Sequence, residues 1–370
     1  MISKLQFLKS LFFISIIFSS FNCSEEKLND DSLINDWDEL DLKGEVKSFK
    51  KLYFEAKESF GEVEKKYNYP ISRAFNKKII FNKNGKIIEE TYYKEYNNDV
   101  GSRTVYEYDN KGKIIETIYY KEYNNDIGLR TVYEYDNKGN KIESIRYTAD
   151  DKIKFKLNYE YDEKGNEIKR EDYNSDSKLE ETNIYEYDKN GNKLEFTEYN
   201  SDGKISDKRI YKYDKNGNRV LIIYYGSDGQ VRSKTKSRYD NNNNRIQRIF
   251  YDSYGEIENK EQYKYDENDN NTEYIEYFHD GSKSRTSYKY DGSGNKIEDK
   301  WHSDDGSNPF NEYRYDKYGK MTFKKIVHGD FESLNEYIYE HDKVGNWTKK
   351  IHYENNKAQS IVQREIEYFD

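Results

Sequence analysis

Polar and apolar positions along this chain alternate in a pattern that restarts about every 26 residues. In residues 210–240, IYKYDKNGNRVLIIYYGSDGQVRSKTKSRYD, Tyr211 and Tyr213 lie two apart and so share one face of an extended strand. Asp214-Lys-Asn-Gly217-Asn follows: an aspartate that can accept from nearby backbone N–H groups, then a glycine able to take a positive φ. Residues 219–225 read as a returning strand, 227–229 as a second turn, and 231–239 as the strand entering the next motif. Each period therefore predicts two strands and two turns, a meander of antiparallel hairpins.

The first turn recurs at Asp109, Asp136, Asp162, Asp188, Asp214, Asp240, Asp266, Asp291, Asp316 and Asp342, spaced 25 to 27 residues apart, with Asn82 in the same place one unit earlier. Three residues on stand Gly112, Gly139, Gly165, Gly191, Gly217, Gly294, Gly319 and Gly345, replaced only by Asn243 and Asp269. Asn and Asp are the non-glycine residues that enter the left-handed region at least cost, so these positions are assigned to structure rather than ligand contact. The second turn varies more, and the drift in period is expected there.

Counting from each aspartate, tyrosines recur at minus one, minus three and plus eleven; Tyr225, Tyr251 and Tyr277 are examples of the last. Simple alternation through the first turn places all three rows on one face, with Ile, Leu or Val at plus six and minus four on the other. Residues 42–370 would then hold roughly 25 strands, and open sheets rarely exceed about ten strands without curling or splitting. The expected fold is all-β: a long antiparallel hairpin meander coiled by its accumulated twist into a spiral or twisted solenoid. Residues 42–80 read as divergent N-terminal capping strands, 81–370 as the repeat array. The final REIEYFD reads as a charged strand that deters edge-to-edge pairing.

Composition fits a sheet with little conventional core. Apolar residues make up 34 %, charged residues 36 %, and 40 of 370 positions are tyrosine, an aromatic content that argues against disorder. The net charge of -9 is interspersed along the chain, which gives no support to a nucleic-acid partner. Residues 1–22 have the layout of an export signal: Lys4 and Lys9, then an apolar run over 11–18, then small and polar residues before Cys23, the sole cysteine. Ser20-Phe21-Asn22-Cys23 resembles the lipidation motif of bacterial lipoproteins, which would make Cys23 the lipid anchor and the membrane a partner. Residues 23–41 then read as the lipidated cysteine and an acidic tether. The expected location is the bacterial outer membrane, on its surface or periplasmic face.

The strings YDNKGN, YDEKGN, YDKNGN and YDGSGN resemble the YD repeats of the RHS family across about residues 75–370. The resemblance implies structural roles for the Tyr-Asp pairs and turn glycines, with His341-Asp342 departing at the aromatic position. Family members include shells whose sheet spirals around a hollow interior, some enclosing a toxic domain, and adhesion and carbohydrate-binding proteins. The protease-like core sequence and variable C-terminal domain of toxin-bearing members are not found here, so a toxin cage is not expected.

No catalytic motif emerges. His279, His302, His328, His341 and His352 show no metal-ligand spacing, and P-loop, dinucleotide and serine-elbow motifs are missing from the sequence. The expectation is a non-enzyme without cofactor or metal: a lipid-anchored scaffold that binds a protein or glycan through an extended β surface. The alternative is an envelope structural or periplasmic accessory lipoprotein of immunity type, with no dedicated ligand. The sequence singles out no binding surface and no oligomeric state.

Overall fold

In a computed structural model of the protein, residues 36–59, 62–66, 76–94, 99–121, 126–302 and 308–370 are described. Cys23 and the export signal lie outside them. Beyond one short helix, α1 (Asp36–Glu39), the described chain is built from 25 strands, β1 to β25 in chain order. Neighbouring strands from β3 (Lys77–Phe81) onward pair antiparallel in sequence order, as the hairpin meander requires.

The sheet has no free ends, which corrects the expected spiral. Ser48 to Lys51 of β1 (Val46–Ser59) pair with β3, and the same residues pair on their other side with β25 (Lys357–Tyr368). β1 and the strands from β3 to β25 thus form a closed ring of 24. The far end of β1 also carries β2 (Glu62–Lys66) as a hairpin extension. The stretch read as capping strands and the REIEYFD strand read as a protected edge are the two halves of this closure. β1 and β25, at 14 and 12 residues, are also the longest strands of the ring.

The physical reason is the repeated bulge. At the first turn Tyr213 pairs with Arg219 but Lys212 pairs with Leu221, so Val220 has no partner. The same shift recurs at Glu107/Tyr108, Glu134/Tyr135, Glu186/Tyr187 and Lys264/Tyr265. The second turns carry a like shift at the opposite rim, at Asp172/Tyr173, Glu198/Tyr199, Tyr224/Tyr225 and Phe250/Tyr251. A bulge bends its strand, and bends repeated in register along both rims curve the whole sheet until its ends meet. With about 4.8 Å between strands, the ring has a perimeter on the order of 115 Å, which leaves a lumen.

The bulge also corrects the face assignment. Because one extra residue is spent before plus seven, Tyr225 pairs with Lys208, Tyr251 with Lys234 and Tyr277 with Lys260. The plus-eleven tyrosines therefore lie opposite the minus-one and minus-three rows, and the plus-six residues are the bulged ones.

Dry core is confined to the closure. Among the described residues, only Ile222 of the buried apolar side chains lies far from it; Trp37, Leu42, Val46, Phe49, Leu52, Ile79, Phe81, Ile351 and Ile361 all belong to the seam. Trp37 of α1 packs beside Phe81, Phe49 and Val46, and its indole nitrogen donates to the Val46 carbonyl at 2.8 Å. Asp36 accepts from the Ile87 backbone N–H, tying α1 to the turn after β3. Residues 36–41, expected at the end of an acidic tether, are therefore built into the seam.

Candidate functional surface

The turns account for the residues that the sequence makes most conspicuous. In all ten, Oδ1 of the aspartate accepts from the backbone N–H two and four residues on, at 2.8–3.0 Å. The residue three on has a positive φ in each, from 62° at Asp269 and 68° at Asn243 to 96° at Gly345. Asn243 and Asp269 do more than replace glycine. Asn243 accepts from Asn216 and Asn218, and Asp269 from Asn242 and Asn244, which links successive turns along the rim.

The Asn amide four residues on, with the turn's backbone N–H groups, holds the Asp136, Asp162, Asp188, Asp266 and Asp291 carboxyls below the usual range. A depressed folded-state pKa gives stability that is complete above the unfolded value, about 3.9, and drains away as pH falls through the lower folded value. Melting temperature is expected to hold from pH 7 to about 5 and then fall steeply below pH 4. A scan by circular dichroism that shows no loss between pH 5 and 3 would contradict this.

The minus-one tyrosines have a structural duty as well. Each hydroxyl donates to a carbonyl 19 to 21 residues back, at the start of the preceding unit's return strand: Tyr135 to Ile114, Tyr161 to Lys141, Tyr187 to Glu167, Tyr213 to Lys193 and Tyr265 to Arg245, at 2.8–2.9 Å. The ladder between those strands has already ended there, so the hydroxyl supplies the missing rung. His341 occupies this position in β23 (Phe331–His341), and its Nε2 is buried without a partner. Substituting tyrosine at His341 is expected to restore the bond to the Met321 carbonyl and add about 0.5–1.5 kcal/mol. Urea titration checks this; an unchanged midpoint would contradict it.

One face is more crowded than the other. Burial raises the hydroxyl pKa of Tyr106, Tyr211, Tyr263, Tyr288 and Tyr313 at minus three, and pushes Tyr185 and Tyr339 up to about 12. In the plus-eleven row, Tyr173 is raised first by its hydrogen bond to Glu171 and only then by burial. Side chains converge on the concave side of a closed sheet, which assigns the minus-one and minus-three rows to the inside.

On that inner face cations lie over minus-three rings: Lys141 at 4.7 Å from Tyr159, Lys193 at 4.7 Å from Tyr185, Arg219 at 5.6 Å from Tyr211. The outer face alternates differently. Arg130 bridges to Glu116 at 3.0 Å and Lys208 to Glu195 at 2.5 Å, while Arg103, Arg130 and Lys234 cover the plus-eleven rings of Tyr120, Tyr147 and Tyr251. These charged rows flank a single interrupted row of Val and Ile.

Conventional catalytic geometry is lacking among the described residues. No three His, Cys, Asp or Glu side chains converge to hold a metal ion. Ser287 Oγ lies 2.9 Å from His302 Nε2, yet the neighbouring Glu273 carboxylate is taken by Lys264 and Arg285 rather than by the imidazole. Buried Asp299 is fully engaged by Asn311, Tyr313 and Lys296.

No protein-family model and no curated protein matches this chain. Among solved structures it is similar to the Photorhabdus luminescens Tc holotoxin pore, at 11 % identity and a TM-score of 0.35, over 78 % of this chain and 19 % of that one. A TcdB2-TccC3-Cdc42 complex gives 12 %, 0.29, 78 % and 22 %. A porin-like protein from Bacteroides uniformis gives 11 %, 0.22, 87 % and 98 %. The chain thus spans about a fifth of the toxin chains it matches. At such identities and TM-scores, neither likeness bears on function.

Proposed function

We propose that the protein is a non-enzymatic envelope barrel that takes up a sugar chain along its inner face, anchored to the membrane through Cys23. The observation that carries this reading is the inner wall itself: half-buried minus-three tyrosines in most hairpin units, with cations lying over Tyr159, Tyr185 and Tyr211. Aromatic faces with polar tips suit the apolar face and hydroxyl rim of a pyranose. Two strands per unit set a repeat of about 9.6 Å, roughly the length of a disaccharide. The minus-one tyrosines are spent on backbone carbonyls, whereas Tyr106, Tyr263 and Tyr313 of the minus-three row donate to the carboxylates of Glu90, Glu261 and Asp299 and keep their ring faces along the wall. The resemblance to YD repeats, with their carbohydrate-binding members, points the same way.

The test is a glycan array probed with the purified full chain, followed by Tyr211→Ala, a change that removes one ring from the wall. Binding to one glycan class that weakens in the variant supports the proposal. Binding to no glycan, or binding indifferent to the loss of inner rings, would overturn it in favour of a structural envelope role. Protease shaving of intact cells separately locates the barrel: loss of the protein places it outside, retention places it on the periplasmic face.

A further inference from the structure

At the seam, three cations meet on the inner face with no carboxylate between them. Lys51 of β1 stands directly opposite Arg364 of β25. Lys350 of β24 (Trp347–Glu354) stands opposite Val362, two residues from Arg364 and on the same face. Tyr339 is Lys350's partner on the other side, which places the group on the inner wall. Like charges opposed across strands repel, and this chain has 71 acidic against 62 basic residues, so carboxylates are not scarce. Cations on the outer face find them. These three make no ion pair among the described residues.

Their neighbours are aromatic instead. The Arg364 guanidinium lies 3.7 Å from the centroid of Trp347 and 5.5 Å from Phe49. Lys350 lies over Tyr337 at 4.3 Å and Tyr339 at 5.6 Å, and Lys51 over Tyr53 at 5.1 Å. Stacking satisfies the face of a guanidinium but not its in-plane donors. Nε and Nη1 of Arg364 are buried and have no acceptor. Asp41, whose field favours the Arg364 charge, is bound by Lys320. Burial draws Arg364 down to about 10, and burial together with Lys51 draws Lys350 below its usual range. A buried donor pair beside two uncompensated ammonium groups is what an oxyanion would complete.

We propose that Lys51, Lys350 and Arg364 form a binding site for the carboxylate of an acidic sugar, with Trp347, Tyr337 and Tyr339 walling the ring. This rests on the sugar-chain reading above and narrows its substrate class. A planar carboxylate matches the guanidinium fork, and the two ammonium groups neutralise what remains of its field. The site is composite: Lys51 comes from the first strand of the ring, Lys350 and Arg364 from the last two, so it exists only when the ring is closed.

The experiment is calorimetric titration of the full chain with a glucuronate-containing oligosaccharide, with its neutral glucose counterpart, and with inorganic sulfate. The acidic sugar is expected to bind roughly tenfold or more tighter than the neutral one. Lys350→Gln and Arg364→Gln, each checked for the native circular dichroism spectrum, are expected to erase that preference. Lys169→Gln, on the outer face, is expected to keep it. Should Arg364→Gln fail to fold, Lys350→Gln alone decides. Equal binding of acidic and neutral sugars overturns this site and leaves the sugar-chain reading standing. Binding of sulfate but of neither sugar leaves the anion site intact and overturns the acidic-sugar assignment together with that reading. No binding of any probe overturns both.

Discussion

Removing residues 357–370 is expected to convert the protein from a closed ring into an aggregating open sheet. β25 is the strand that joins β24 to β1, pairing with β1 from Val46 to Glu55 and with β24 from Lys349 to Glu354. Without it both neighbours present unpaired N–H and C=O groups along a strand, the template on which other chains add. The dry core is uncovered on one side too, since Ile366, Tyr368 and Phe369 pack against its central residues and Ile361 is itself buried. The remaining strands keep their hairpin neighbours, so far-ultraviolet circular dichroism should retain β character while light scattering reports assembly. A truncated chain that stays monomeric with an unchanged melting temperature would show that closure carries little stability. A comparable loss elsewhere in the array removes no edge protection: deleting one whole hairpin unit lets its neighbours pair instead, and is expected to be better tolerated.

The contrast shows what a single sequence can and cannot make legible. Each unit announces itself locally. The aspartate, its glycine three residues on and the flanking tyrosines describe one hairpin, and hairpins in series describe a meander. Closure is not local. It depends on the curvature that bulges add at the rims, and a bulge leaves only one unpartnered residue, such as Val220, which in the sequence looks like one more strand position. That same residue inverts the faces, so the plus-eleven tyrosines moved outside while the minus-three row stayed within. A signal was available: Tyr225 and Val220 are five apart, and with the turn counted as a three-residue loop their alternation is broken. The seam was harder to see. Trp37 sits in an acidic stretch that reads as tether, Phe49 in a strand that lacks the motif, Phe81 at the tyrosine position of the Asn82 unit, and Arg364 in a run that reads as a charged edge. Only the pairing of residues some three hundred positions apart gives these side chains a common role. The candidate anion site was invisible for the same reason, because its three cations lie far apart in the sequence, Lys51 in β1 and Lys350 and Arg364 in β24 and β25.

Phe81→Ala should be the most damaging single truncation among the apolar residues, because nearly all the dry core lies where it stands. Its ring is 2 % exposed, packed 6.2 Å from Trp37 and 6.4 Å from Phe49 between centroids. Truncating a buried phenylalanine removes transfer free energy and leaves a cavity, together about 3–5 kcal/mol. Here the cavity would open beneath α1, whose indole bond to the Val46 carbonyl and whose Asp36 contact to Ile87 depend on the helix staying seated. The wall elsewhere has no such centre. Ile115, Ile142 and Leu194, the bulged residues, are 36–38 % exposed, and alanine at any of them is expected to cost about 1 kcal/mol or less. Guanidinium unfolding of the four variants separates the cases. Phe81→Ala should also quench the blue-shifted component of the tryptophan emission as Trp37 meets water, while the bulge variants leave it alone. If instead Phe81→Ala and Leu194→Ala lose equal stability, the ring is held by its ladders alone and the seam is no core. The converse result, a large loss confined to the seam, would mean that a ring of repeated hairpins is locked by its least repetitive residues, and that stability and the composite cation cluster share one structural origin.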